Sequence, residues 1–291
     1  MNATSALARP LLPRRTAFVA RLENNVSGAL ESQKRVRSGL RVRGAEWLHE
    51  LVPRRATLVI AQSRSMAVDL ESRHDGRFRE KTRTLPNPVD VDAIRRRGAE
   101  PVHDRFNAGR PHLVSVGRLH HQKAYDLLLP AFARLLERHP AATLRILGEG
   151  PDRDELAKLA ATLGVSDRVD LHGFVPEPLP YVAAADLYVC SSRYEGFSNA
   201  LAEAAALGVP MVAPSGPAAG DEIVHERNGR LVEHLSEADL VVALTAALAT
   251  DFDRAQIADE CRQRFSVEAV ARQYEAVLTE AIARREAAVG G

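Results

Sequence analysis

Two basic residues and two carboxylates stand where their types and spacing can do chemistry. Arg118 and Lys123 lie five apart in Gly117-Arg118-Leu119-His120-His121-Gln122-Lys123-Ala124. A guanidinium fork and an ammonium point charge at that spacing can converge on one phosphate group. Gly117 lets the backbone turn tightly, and a helix N-terminus behind the loop would add partial positive charge. An ordinary solvated basic loop is the competing reading. Glu195 and Glu203 are eight residues apart in Ser192-Arg193-Tyr194-Glu195-Gly196-Phe197-Ser198-Asn199-Ala200-Leu201-Ala202-Glu203. Carboxylates accept hydrogen bonds from hydroxyls, so two along one groove suit a sugar or a ribose. The bland alternative makes Glu195 a loop charge and Glu203 an exposed helix residue.

Both segments need elements to hold them. From residue 112 onward, short apolar runs alternate with helical patterns. Strands are predicted at His112–Val116, Thr143–Leu147, Val169–His172, Asp186–Cys190 and Pro210–Ala213. Helices are predicted at Tyr125–Arg138, Asp152–Leu163 and Ser198–Leu207, and a helical tail over Ser236–Thr250, Asp251–Phe265 and Ser266–Glu286. This alternation predicts an α/β fold with a doubly wound parallel sheet. Ligands in such sheets sit beyond the carboxyl ends of the strands, and both loops leave strands at that end. The N-terminal third carries three further strands, Thr16–Arg21, Thr57–Gln62 and Thr82–Leu85, with a basic helix over Gln33–Leu51. Three strands are few for an independent doubly wound core. Polar, proline-bounded Arg95–Arg110 reads as the domain boundary.

Composition narrows the classes. The chain has 291 residues, 45% hydrophobic and 26% charged, as a soluble globular protein has. Cys190 and Cys261 are too few for a disulfide framework or a zinc site, and fit a reducing cytoplasm. No apolar run reaches a membrane-spanning length, and the start lacks a signal-peptide core. The formal charge of +1 hides an asymmetry: residues 1–110 hold 22 Lys+Arg against 12 Asp+Glu, the remainder 17 against 26. The basic third suits contact with anionic headgroups or an anionic polymer, although solvated helix faces explain it as well. Asp90–Asp92 and Asp251–Asp253 resemble metal-binding pairs, but one follows a proline connector and the other caps a tail helix. No glycine fingerprint of a dinucleotide-binding oxidoreductase or epimerase follows an early strand.

Taken together, Gly117-Arg118-Leu119 with Gln122-Lys123, Gly148-Glu149-Gly150-Pro151, His172-Gly173-Phe174-Val175, Ser192 through Glu203, Gly208-Val209-Pro210 and Asn228-Gly229 resemble the donor domain of the family 4 retaining glycosyltransferases. The resemblance runs from about Leu58 to Arg272. It implies the GT-B fold, two Rossmann-like doubly wound parallel-sheet domains facing across a cleft. It divides the chain into 1–105, a partial acceptor-side domain; 106–265, the nucleotide-sugar donor-binding domain; and 266–291, a helix crossing back toward the first.

By the same resemblance, Arg118 and Lys123 hold the donor diphosphate and stabilise the leaving nucleotide without metal. Glu195 meets the sugar hydroxyls and completes the catalytic set. Gly117, Gly196, Phe197, Ser198 and Asn199 line the donor, Phe174 lies near the base, and Glu203 binds the ribose. Neither metal nor cofactor is implied beyond the nucleotide sugar itself. The acceptor would be a glycan or a lipid-linked glycan, with no nucleic-acid partner, in the cytoplasm and peripheral at the inner membrane face. Ala124 replaces the family's usual glycine, which a slightly different turn would absorb, and Glu23 before Asn24-Asn25 replaces its histidine. The family's N-terminal glycine-rich loop and histidine region have no counterpart, so the first domain is expected to be incomplete. The alternative is a non-catalytic donor-binding remnant, or part of a split enzyme whose partner chain supplies that half.

Overall fold

The computed structural model describes residues 6, 8–23, 27, 50–102 and 110–290. The expected elements at Asn24-Asn25 and across residues 33–49, Trp47 and Leu48 among them, lie outside the described residues. The chain is α/β and its contacts divide it into two units. Unit 1 comprises Met1–Pro88, Glu195–Phe197 and Val267–Gly291; unit 2 comprises Val89–Tyr194 and Ser198–Ser266.

Unit 1 holds a parallel sheet of β1 (Val19–Arg21), β2 (Leu58–Ala61) and β3 (Thr82–Thr84), in that spatial order. Leu58, Val59, Ile60 and Ala61 are all buried, as a central strand covered on both faces requires. Alternation sends Val59 to a cluster with Phe18, Ala20, Val52, Leu70 and Phe78. Leu58 and Ile60 face Leu85, Val277 and Ala281. Helix α1 (Arg64–Arg73) starts at Ser63, whose hydroxyl accepts the amide of Met66.

Unit 2 is a six-stranded, all-parallel sheet. Its strands are β4 (His112–Val116), β5 (Thr143–Leu147), β6 (Val169–Gly173), β7 (Leu187–Val189), β8 (Met211–Pro214) and β9 (Gly229–Val232). They lie in the order β6-β5-β4-β7-β8-β9, so the chain winds outward from β4 one way and from β7 the other. The crevice between the carboxyl ends of β4 and β7 is therefore the topological switch point, where doubly wound sheets take their ligands.

Seven helices belong to the described part of this unit. In chain order they are α2 (Val91–Gly98), α3 (Tyr125–Leu135), α4 (Arg153–Thr162), α5 (Leu179–Ala183), α6 (Asn199–Ala206), α7 (Glu237–Leu248) and α8 (Arg254–Phe265). One face of the sheet, with Leu113, Leu144, Ile146 and Val212, packs on Leu128, Phe132, Leu135, Leu240 and Leu244 from α3 and α7. Ser198, Ser236 and Asp253 cap α6, α7 and α8 through their side chains.

The contacts place the first break between Pro88 and Val89, not at the expected 105/106. The physical reason is α2, which buries Val91, Ile94 and Gly98. A Cβ on Gly98 would meet Leu207 Cδ2 at 2.4 Å and Ala183 Cβ at 3.5 Å, so the helix is seated on unit 2. Asp90 caps it, and Asp92 forms a two-bond pair with Arg262 at 2.6 and 3.1 Å. Helix α9 (Val267–Gly290) closes the chain and groups with unit 1. Among the described residues no helix is long and apolar enough to cross a membrane.

Candidate functional site

The 117–124 loop leaves β4 at the switch point. Its first residue donates its amide to the Leu147 carbonyl at 2.9 Å, and Leu119 donates to Glu149 at 3.0 Å. Leu119 is fully buried and anchors the loop, while Arg118 beside it is exposed. The Arg118 side chain has no hydrogen-bonded or ionic partner among the described residues.

Behind this loop the turn Gly148-Glu149-Gly150 comes in at backbone distance. A Cβ on Gly148 would stand 2.0 Å from the Gly117 carbonyl oxygen, and one on Gly150 2.1 Å from that of Leu119. Gly148 also has φ +144°, which L side chains rarely adopt. Gly117 itself leaves room for the Lys123 stem: a Cβ there would meet Lys123 Cε at 2.6 Å. The Lys123 side chain thus folds back over the strand end that Arg118 follows.

Ala124 takes the left-handed conformation at φ 52° and ψ 37° and is fully buried. The turn is thus one that favours glycine, not the different turn that the substitution suggested. Left-handed backbone costs a non-glycine residue roughly 1–2 kcal/mol. Burial of the methyl returns about 0.8 kcal/mol, and alanine's stiffer unfolded chain about 0.4–1 kcal/mol. The balance is near zero. Ala124→Gly is accordingly expected to change stability in urea by less than about 1 kcal/mol. Ala124→Val, branched at a positive φ, is expected to lose about 2 kcal/mol or more.

Loop 191–194, which leaves β7, is tied to the 117–124 loop across the switch point. The Ser191 hydroxyl donates to the Lys123 carbonyl at 2.6 Å, and the Arg193 amide to that of Gln122 at 2.8 Å. Gln122 Nε2 returns a bond to the Tyr194 carbonyl at 2.9 Å. The Arg193 guanidinium donates to the His121 carbonyl at 2.6 Å and grips both oxygens of Asp126 at 2.9 and 2.6 Å. Burial would raise the Asp126 carboxyl, but the Arg193 fork outweighs it and holds the carboxyl below its usual range. These bonds set the backbone on which Lys123 stands. Asp126 and Arg193 are 67 positions apart in sequence, and sequence reading gave them no role.

Helix α6 starts at the end of the second loop. Ser198 accepts the Leu201 amide, which puts the helix N-terminus, with Asn199 first, at the strand end. Glu203 lies two turns on and is half-buried, so it is not the fully exposed helix residue of the bland reading. Burial raises its carboxyl above the usual range, Arg97 works against that shift, and Glu177 adds to it. Its carboxylate has no hydrogen-bond or ionic partner among the described residues. A desolvated acceptor of this kind has affinity for a hydroxyl donor. Phe174, one residue past β6, is 71% exposed.

Glu195, Gly196 and Phe197 group by contact with unit 1. There a Cβ on Gly196 would meet the Glu23 carbonyl oxygen at 2.5 Å and Met66 Sδ at 3.2 Å, so the position demands glycine. Glu195 is half-buried and Phe197 is 5% exposed. Of the expected site, unit 2 gathers Gly117, Arg118, Lys123, Ser198, Asn199 and Glu203 around the β4–β7 switch point, while Phe174 stands past the end of the edge strand β6, two strands from β4.

The family model "Glycosyl transferases group 1" matches residues 98–264, more than half of the chain. The lipopolysaccharide core biosynthesis glycosyltransferase LpsE of Rhizobium meliloti is 41% identical over 105 residues, covering 36% of this chain and 30% of LpsE. The GDP-mannose-dependent alpha-(1-6)-phosphatidylinositol monomannoside mannosyltransferase of Mycobacterium tuberculosis is 35% identical over 183 residues, 59% of this chain and 47% of that enzyme. The chain thus spans less than half the length of these curated relatives. Among solved structures, Anabaena Alr3699/HepE in complex with UDP superposes with a TM-score of 0.76 at 23% identity, over 96% of this chain and 76% of that one.

Proposed function

The chain belongs to the glycosyl transferases group 1 family, and on that footing we propose that unit 2 holds the diphosphate of a nucleotide-sugar donor at the β4–β7 switch point. The observation that carries this reading is a basic loop, Arg118 to Lys123, stapled over a six-stranded parallel sheet at the place where its winding reverses. Arg118 forks onto one phosphate and Lys123 supplies a point charge. The α3 N-terminus behind them adds to the field.

Charge builds on the departing diphosphate as the glycosidic bond breaks, so fixed cations there lower the barrier without a metal. Glu195 meets the sugar hydroxyls, and the backbone of Gly196, Phe197, Ser198 and Asn199 lines the donor. Glu203 accepts from the ribose, and Phe174 flanks the base. A GDP-mannose-dependent relative and a UDP-bound structural neighbour support a nucleoside diphosphate sugar as the donor class.

The proposed reaction is family 4 chemistry: transfer with retention of anomeric configuration to a glycan or lipid-linked acceptor in polysaccharide or glycolipid synthesis. It would take place in the cytoplasm at the inner membrane face. NMR of the anomeric proton in the released or transferred sugar, with EDTA present, tests this. Retained configuration at an unaltered rate is the expected result. Inversion, or loss of turnover on chelation, would contradict it. A second reading, donor binding without transfer unless a partner chain is present, draws on the coverage of the relatives. Donor binding with no turnover by the chain alone would favour it.

Glu203 offers an independent check. Its carboxyl is raised in the folded state, so ionisation costs stability as pH climbs past the usual carboxyl value near about 4. Glu203→Gln removes that cost. The variant is expected to melt higher than the parent at neutral pH, with the gain vanishing below about pH 4, and to bind the nucleotide roughly tenfold more weakly. A lower melting point at neutral pH, or unchanged affinity, would count against the assignment.

A further inference from the structure

Helix α2 carries three consecutive arginines, Arg95, Arg96 and Arg97, and among the described residues only Arg97 of the three has an ion-pair partner. It follows the buried Ile94 by three positions, which sets it on the flank of the seated face. The next residue, Gly98, is where α2 rests on Ala183 of α5 and on Leu207 at the end of α6. Arg97 Nε donates to Glu177 Oε2 at 2.5 Å, and Glu177 Oε1 accepts the Leu179 amide at 3.3 Å, so the guanidinium is tied to the start of α5. About half of the Arg97 side chain stays in solvent, and a pair so placed adds little to stability. None of the donor contacts uses it.

The other carboxylate within its field is Glu203. Burial raises that carboxyl, Arg97 is the cation that opposes the shift, and Glu177 adds to it. Two carboxylates therefore share one guanidinium. The hydrogen bond goes to Glu177, which leaves the Glu203 oxygens clear while the positive charge still acts on them. An ionised carboxylate accepts from hydroxyls in charge-assisted bonds, and a neutral one does so roughly half as strongly. A cation bonded to Glu203 itself would occupy that acceptor. One held a step away keeps it both charged and open. On the footing of a donor ribose at Glu203, we propose that Arg97 is a positioning residue for that ribose: anchored by Glu177, it holds Glu203 ready as the charged acceptor of the hydroxyls.

Calorimetric titration of UDP, GDP, ADP, CDP and dTDP, each beside its 2′,3′-dideoxy form and inorganic pyrophosphate, tests this. For the nucleotide that the parent binds, Arg97→Gln is expected to weaken binding about fivefold. Arg97→Lys should cost less than about twofold, since the charge and not the fork acts on Glu203. Arg96→Gln, on the same helix, should bind like the parent, and matching thermal melts verify that each variant is folded. The Arg97→Gln loss is expected to vanish for pyrophosphate and for the dideoxy nucleotide, which have no ribose hydroxyls to give. It should vanish too in a Glu203→Gln background, because two residues acting through one contact are not additive. Parental affinity in Arg97→Gln, a loss that extends to pyrophosphate, or losses that multiply with Glu203→Gln would overturn the proposal and leave the donor site standing. Failure of the parent to bind any of the five would remove the donor reading, and this inference with it.

Discussion

Replacing Arg118 by alanine is expected to weaken binding of the cognate nucleoside diphosphate about hundredfold, with little change in the melting point of the free protein. The two halves of that expectation come from one fact: the guanidinium is exposed and has no intramolecular partner among the described residues. Nothing in the fold leans on it, so truncation leaves stability alone. A bidentate, charge-assisted contact to phosphate contributes roughly 3 kcal/mol, which is a factor of about a hundred in affinity. Arg118→Lys keeps the charge and loses the fork, so its affinity should fall between the two. Lys123→Ala is expected to cost a similar factor, and either alanine variant to slow transfer by about 10²–10³. Calorimetric titration separates these cases. Parental affinity in Arg118→Ala would remove the phosphate role from this loop.

The second large effect is structural. Gly148→Ala is expected to destabilise the protein by about 3 kcal/mol or more and to abolish nucleotide binding. The new methyl would stand 2.0 Å from the Gly117 carbonyl oxygen and 2.8 Å from its carbon, on a residue at φ +144°. Both atoms are backbone at the root of the 117–124 loop, so no side chain can swing away. Relief has to come from moving either the loop or the end of β5. Gly164→Ala is the matched comparison. It too has a positive φ, +71°, but nothing lies within 4 Å of the added carbon. There the cost should be roughly 1–2 kcal/mol, with nucleotide affinity unchanged. Equal losses for the two variants in urea denaturation would mean that the close approach carries no weight.

Much of this arrangement was legible before any coordinates. The strands β4, β5, β7 and β8 are short apolar runs between helical patterns, and such runs have few alternatives once the alternation is clear. Their carboxyl-end loops could be located for the same reason. Helix α1 (Arg64–Arg73) was not anticipated, and three further elements were missed, each for a local reason. Helix α2 carries Arg95-Arg96-Arg97 and read as a polar linker, although Val91, Ile94 and Gly98 have helical spacing and are buried. Helix α5 opens with prolines, as a loop would. Strand β9 has four residues, one of them Arg230, and was seen only as the Asn228-Gly229 turn before it.

The site divides in the same way. Arg118, Lys123, Glu195 and Glu203 stand out by type and spacing. The Asp126–Arg193 pair, which holds the two loops together, joins residues with no local pattern between them. The glycines were visible as a motif, but their reason, carbonyl oxygens within about a bond length and a half of where a side chain would start, required the backbone of a second loop.

Thermal unfolding of the chain with a panel of nucleoside diphosphates and their sugars, in EDTA, tests the central claim most directly. One base is expected to stand out. Its diphosphate should stabilise the protein by about 2.7 kcal/mol at a hundred times its dissociation constant. The same shift should be absent from Arg118→Ala. A flat response to every nucleotide in the panel, or an equal shift in Arg118→Ala, would contradict a diphosphate site at the β4–β7 switch point.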